Sequence, residues 1–157
     1  DQTDCNANGT PDVCEIASGA ASDCNSNGIP DECEADCNGN GTPDDCDIAS
    51  GTSLDTNGNG TPDECETQFQ RGDANASGNV NVTDPIYILQ YVIGTGPTPT
   101  CLDSADVNDD EQLDLTDTIS LLQYLFMAST PPGAPFGNCG IDPDGESIGC
   151  ESFSTCP

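Results

Sequence analysis

Asp4-Cys5-Asn6-Ala7-Asn8-Gly9-Thr10-Pro11-Asp12-Val13-Cys14-Glu15 is a twelve-residue stretch with oxygen-bearing side chains at positions 1, 3, 5, 9 and 12 and glycine at position 6. Oxygen ligands at alternating positions surround one hard cation, the glycine permits the turn that folds them inward, and the last carboxylate closes the shell. Five further copies begin at Asp23, Asp36, Asp55, Asp73 and Asp106 and close at Glu34, Asp47, Glu66, Asp84 and Asp117. Six copies make a divalent cation, calcium, the organising principle of the chain.

The expected ligands are the side chains at positions 1, 3, 5 and 12 and the backbone carbonyl at position 7, with position 9 binding directly or through water. In loop 1 these are Asp4, Asn6, Asn8, Thr10, Asp12 and Glu15, and in loop 2 Asp23, Asn25, Asn27, Ile29, Asp31 and Glu34. Loop 3 offers Asp36, Asn38, Asn40, Thr42, Asp44 and Asp47, and loop 4 Asp55, Asn57, Asn59, Thr61, Asp63 and Glu66. Loop 5 offers Asp73, Asn75, Ser77, Asn79, Asn81 and Asp84, and loop 6 Asp106, Asn108, Asp110, Gln112, Asp114 and Asp117. Loop 6 departs from the pattern, with Glu111 in place of the glycine. About six calcium ions are expected. Extracellular sites bind calcium at about 0.1–1 mM, so each adds roughly 0.4–1.4 kcal/mol of stability at about 1 mM calcium.

Composition agrees. The formal charge is −28, from 29 acids against one base, and such a chain repels itself unless cations neutralise it. Leu, Ile, Val and Phe number 26 of 157 residues, and six of them precede residue 71. The first half therefore depends on metal, disulfides or neighbouring molecules. Eleven cysteines indicate an oxidising compartment, and an extracellular or cell-surface location follows. The opening Asp1-Gln2-Thr3-Asp4 is not a leader, which reads as a processed chain or a piece of a larger one. The longest apolar stretch, 85–93, is too short to span a bilayer, and one Arg cannot build a nucleic-acid-binding face.

The fold class expected is a small, irregular, calcium- and disulfide-stabilised protein, mostly coil with short α-helices. Residues 1–66 hold four tandem loops, each with Pro at position 8 (Pro11, Pro30, Pro43, Pro62). Proline has no N–H to bridge loops in pairs, so solitary loops are expected. The segments after loops 1 and 3 repeat Ile-Ala-Ser-Gly (16–19 and 48–51), a short helix that stops at once. Residues 71–127 form a duplicated loop–helix domain at a spacing of 33, with Val80 and Leu113 at position 8 able to bridge. Helical spacing predicts one packed face from Ile86, Leu89 and Ile93 and a second from Ile119, Leu122 and Phe126. Residues 128–157 are an irregular Pro/Gly/Cys-rich tail, and its acids Asp142, Asp144, Glu146 and Glu151 fit no template.

Cys5/Cys14, Cys24/Cys33 and Cys37/Cys46 sit at loop positions 2 and 11, so pairing within each loop is the simplest arrangement. Pairing between neighbours, Cys14 with Cys24 and Cys33 with Cys37, is the rival. Thr56 at position 2 leaves Cys65 without a partner in its loop, and Cys101 with Cys139 would close the second loop–helix unit. Five N-x-[ST] acceptors, Asn8, Asn40, Asn59, Asn75 and Asn81, coincide with ligand positions and are read as unmodified ligands. Arg71 reads as a surface ion pair.

Loops 1–4, as in Asp23 to Cys33 and Asp55 to Cys65, resemble thrombospondin type 3 repeats, with Asn where that family more often has Asp. The resemblance implies a calcium-filled chain with little secondary structure. Residues 71–127 resemble a dockerin, through Gly72-Asp73-Ala74-Asn75 and Ala105-Asp106-Val107-Asn108, each followed by its helix. That resemblance implies a calcium-dependent plug for a cohesin. The partner-reading positions are Val82-Thr83 and Leu115-Thr116, with an apolar residue where cellulosomal members carry a small hydroxyl.

No enzyme is expected: the chain has no His and no Lys, and calcium claims most of its acids. Two binding functions remain. One is a structural protein whose partners are copies of itself, assembling into a surface or matrix fibre. The other is an anchoring module for a cohesin-like receptor, with the repeats as spacer. This stretch carries no cargo domain, so the first is the expected one.

Overall fold

A computed structural model describes residues 3–145 and 148–156. Among them are five short α-helices, two 3-10 turns and no strand, in an irregular, disulfide-stabilised fold. The helices are α1 (Asp12–Ser18), α2 (Asp44–Ser50), α3 (Thr83–Val92), α4 (Leu102–Ala105) and α5 (Leu115–Met127), and the 3-10 turns are Asp31–Cys33 and Asp63–Cys65. Asp1, Gln2, Glu146, Ser147 and Pro157 lie outside the described residues. The chain divides into two compact units, Asp1–Glu66 and Thr67–Pro157.

In the first unit, loops 1 and 3 run on into α1 and α2, while loops 2 and 4 end in a single 3-10 turn. The difference lies in the residues that follow. Ile-Ala-Ser extends the helix after loops 1 and 3 until Gly19 (φ 74°) and Gly51 (φ 76°) stop it in the left-handed region. After loop 2 only Ala35 precedes the next loop, which leaves no room for a second turn. Each position-9 N–H reaches back to the residue before its loop, as in Asp31 to Ser22 O (2.9 Å) and Asp63 to Leu54 O (2.8 Å). The adjoining prolines Pro30, Pro43 and Pro62 are fully buried, and none of them owes an N–H.

The loops are not solitary. The disulfides are Cys5–Cys33, Cys24–Cys46 and Cys37–Cys65, so position 2 of each loop is joined to position 11 of the next. Beside each disulfide, the position-3 amide donates to the position-10 acid of the next loop: Asn6 to Glu32, Asn25 to Asp45 (2.6 Å) and Asn38 to Glu64 (3.3 Å). The pairing within each loop is thus overturned, and the pairing between neighbouring loops holds with partners other than Cys14–Cys24 and Cys33–Cys37. Neighbouring loops face each other across these positions. The unpaired thiol is Cys14, and Cys65, without a partner in its own loop, closes the last rung with Cys37.

In the second unit, α3 packs on α5. The core is Ala74, Ile88, Ala105, Val107 and Leu121, flanked by Val80, Tyr87, Val92, Leu113, Tyr124 and Leu125. The expected helix faces are therefore wrong in phase. Ile86, Ile93, Ile119 and Phe126 are exposed, and only Leu89 and Leu122 are partly buried. The closing carboxylates decide the phase. Asp84 and Asp117 must turn into their loops, and residues four and eight further on (Ile88 and Val92; Leu121 and Leu125) share that inward face. Val80 and Leu113 pack their side chains on the core, and no backbone hydrogen bond joins them among the described residues.

The tail is irregular but anchored. Phe69 pairs through its backbone with Gly140, and Cys101 is bonded to Cys150 and Cys139 to Cys156, so Cys101 and Cys139 do not pair. Phe69, Cys101 and Phe153 form a second small core, and Phe136 meets the Tyr124 ring edge-on at 5.0 Å. Arg71, expected at the surface, is fully buried beneath this tail.

Candidate metal centre

The six loops share one backbone device. The position-1 aspartate accepts N–H groups from positions 5 and 6, which wraps the loop around its own first side chain. In loop 1 Asp4 receives Asn8 (3.2 Å) and Gly9 (2.9 Å), in loop 2 Asp23 receives Asn27 (3.1 Å) and Gly28 (3.0 Å). Asp36 and Asp55 take the same bonds, with a further N–H from Gly39 and Gly58. In the second unit Asp73 receives Ser77 and Gly78, and Asp106 receives Asp109, Asp110 and Glu111.

Positions 3, 5 and 12 converge on the same centre in the first unit. The position-5 amides of Asn8, Asn27, Asn40 and Asn59 lie 2.6–2.8 Å from Glu15, Glu34, Asp47 and Glu66. The position-3 amides of Asn25, Asn38 and Asn57 reach the same closing carboxylates. Asn6 turns away to Glu32 instead. Position 9 also braces its own loop. One carboxylate oxygen of Asp12, Asp31, Asp44 and Asp63 accepts the position-2 N–H at 2.7–2.9 Å. The position-7 residues Thr10, Ile29, Thr42 and Thr61 donate N–H to position 5.

In the second unit the closing residue is an aspartate at the start of a helix, and it is held by the loop backbone. Asp84 accepts N–H from Asn75 (3.3 Å) and Asn81 (2.8 Å). Asp117 accepts from Val107, Asn108 and Asp114, and Asp114 caps α5 through Thr116. Position 3 behaves differently here: Asn75 and Asn108 send their amides to Thr83 and Thr116 at position 11. Asn81 faces Thr83 and the Asn79 carbonyl, and Asp110 accepts from Gln112.

These groups suit a hard cation. Asp73, Asp84, Asp106 and Asp117 are all buried, a first and a last carboxylate in each loop. Burial, opposed by N–H donation and reinforced by Asp73, pushes Asp84 up to about 6. Burial with the charge of Asp106 does the same to Asp117, also to about 6. Desolvated carboxylates of this kind call for a compensating cation. Three sequence-predicted ligand atoms, Oδ1 of Asn75 and Oε2 of Glu15 and Glu34, are buried acceptors with no hydrogen-bond partner. An orphaned acceptor costs about 1–3 kcal/mol, which a bound ion would offset.

Residues 71–126 match the dockerin type I domain. Dockerins are calcium-binding, non-catalytic modules that bind cohesins, and the match covers both loop–helix units. It does not reach residues 1–66, whose likeness to thrombospondin type 3 repeats rests on their motifs. No curated protein and no solved structure matches the chain.

Arg71 makes the ion pair expected of it, but buried rather than at the surface. Arg71 meets Asp109 at 2.7 Å and Asp142 at 2.8 Å. Burial raises Asp109 and carries Asp142 up to about 7 against the pull of Arg71. The ladder of disulfides does have a signal in the sequence. Thr56 at position 2 of the last loop and an unpaired Cys14 at position 11 of the first are the two ends of a series shifted by one loop.

Proposed function

We propose that this chain is an extracellular calcium-dependent anchoring module, in which the dockerin segment docks into a cohesin-like receptor and residues 1–66 contribute four more calcium loops. On this reading about six ions are bound, two by Asp73–Asp84 and Asp106–Asp117 and four by the loops of the first unit. The five disulfides suit an oxidising, calcium-rich exterior. No helix is long and apolar enough to cross a membrane among the described residues.

One observation carries the receptor reading. The dockerin segment leaves two corresponding sets of apolar side chains in solvent, Val82, Ile86 and Ile93 on one unit and Leu115, Ile119 and Phe126 on the other. Val82 and Leu115 occupy position 10 of their loops, the place where dockerins read their partner. Exposed apolar groups gathered in this way mark a binding surface. The fibre expected from the sequence has no comparable support, so receptor binding takes precedence over self-association.

Calcium would act at a distance from this surface. Ligation at Asp84 and Asp117 fixes the first turns of α3 and α5, and the exposed sets ride on those helices. Titrating the full chain against a panel of cohesin domains by calorimetry, with calcium and with EGTA, tests the reading. Binding in calcium that disappears on chelation is expected. Failure to bind any cohesin, or binding indifferent to chelation, would refute it.

A further inference from the structure

Arg71 is the only basic side chain in the sequence, and it is fully buried. A guanidinium has five N–H donors, and here five acceptors surround it. Nε donates to the Ala134 carbonyl (3.1 Å), and Nη1 donates to the carbonyls of Asp103 (3.3 Å) and Asp106 (2.7 Å). Nη2 meets the carboxylates of Asp142 (2.8 Å) and Asp109 (2.7 Å). The Phe69 ring lies 5.4 Å from the guanidinium carbon, and the Arg71 backbone N–H goes to Pro135. One side chain thus joins the tail (Ala134, Asp142) to α4 (Asp103) and to the first residues of loop 6 (Asp106, Asp109).

Loop 6 is also the loop that needs holding. In loop 5, position 6 is Gly78, at φ 84°, where glycine is at ease. In loop 6 that position is Glu111, at φ 63°, whereas position 4 is left-handed in both loops, Ala76 at φ 50° and Asp109 at φ 62°. A side chain in the left-handed region costs about 1–2 kcal/mol, so loop 6 lacks the conformational freedom that loop 5 has. Arg71 grips this loop at both ends of its first turn, through the Asp106 carbonyl and the Asp109 carboxylate.

We infer that Arg71 is the positioning residue of the second calcium loop of the dockerin segment, holding it in binding shape against the tail. The inference rests on the calcium reading given above. Asp109 is at position 4 and outside the ligand set, so Arg71 acts through the Asp106 carbonyl and a carboxylate that is not a ligand, and touches no expected ligand side chain. Its role is opposed by simple charge. A cation beside a calcium site repels calcium, so removing Arg71 should tighten loop 6 if charge alone mattered. If position matters more, removal weakens it.

Calcium titration of the full chain, followed by NMR at the amides of Gly78 and Glu111, reads the two loops separately. Each amide donates to the first aspartate of its loop, at 2.7 and 2.9 Å. In the native chain both should shift, and no shift at either would sink the calcium reading itself. With Arg71→Met, loop 6 should weaken about tenfold, the size of effect typical of groups that orient metal ligands, while loop 5 stays within about twofold. Arg71→Lys keeps the charge and loses the planar fork, and should weaken loop 6 in the same way. Should the Met variant fail to fold, Arg71→Lys and the near-isosteric Asp142→Asn carry the test, and both should weaken loop 6 alone. Tighter or unchanged binding at loop 6, or equal loss at both loops, overturns the inference.

Discussion

Acidification should strip calcium from the dockerin segment well above the usual carboxylate range. Asp84 and Asp117 stand at about 6 before metal binds, chiefly through burial. Calcium takes the ionised form, so each loop must release a proton to bind wherever its closing aspartate is protonated. The sign follows: affinity is full above about pH 7 and falls as pH drops through about 6. For one titrating group at about 6, the apparent dissociation constant at pH 5 is about tenfold that at pH 7.5, or about 1.4 kcal/mol per loop. The calcium-free fold moves the other way. Each carboxyl lies higher folded than its unfolded value of 3.8, so its contribution is present below that value and is lost as pH rises through about 6. Calorimetric calcium titrations at pH 5, 6 and 7.5, each in two buffers of different ionisation enthalpy, measure affinity and protons released together. A dissociation constant flat across that range, or no proton release at pH 5, would refute the burial argument.

Three shorter predictions test the fold and the binding surface. Ile88→Ala or Leu121→Ala should each cost about 3 kcal/mol, while Ile86→Ala should stay within about 0.5 kcal/mol. Denaturant unfolding read by tyrosine fluorescence decides this, because Tyr87, Tyr91 and Tyr124 all lie in the second unit. A native-state maleimide reaction without reductant should label one thiol per chain, at Cys14, and labelling at Cys65 would break the disulfide ladder. Val82→Asp together with Leu115→Asp should leave calcium affinity and helix content unchanged and abolish receptor binding; retained binding would move the interface elsewhere.

The turn of each acidic loop is legible in the sequence because the spacing that makes it is a local property. Twelve residues contain the turn, its glycine and the acids, and the observed bonds to Asp4, Asp23, Asp36 and Asp55 run between residues three to five apart. The phase of α3 is not legible, because Ile86, Ile88, Leu89, Val92 and Ile93 put apolar groups on several faces. What selects Ile88 is the inward turn of Asp84, a requirement of the loop and not of the helix. The disulfides mislead for a similar reason. A spacing of nine within each loop is eye-catching, yet pairing depends on which loops face each other. Arg71 misleads because a lone base among 29 acids has many exposed partners available. Its burial needs Ala134 and Asp142 from one distant stretch and Asp103, Asp106 and Asp109 from another.

The two units resolve one problem, an excess of carboxylates, by different means. The first has no base, and its position-1 aspartates stay half-exposed beneath backbone N–H groups. Where a helix follows, as in loops 1 and 3, the acids at positions 9 and 12 are buried; where only a 3-10 turn follows, Asp31, Glu34, Asp63 and Glu66 stay partly open. Covalent rungs therefore carry more of the order there, and each closes a loop of chain worth about 3 kcal/mol. The second unit buries the first and last carboxylates of both loops and sets the helix phase by them. Removing calcium from it leaves those charges desolvated beside α3 and α5, the elements that carry the exposed apolar sets. That is why a cation in the second unit would govern recognition, whereas the first unit is already held by sulfur.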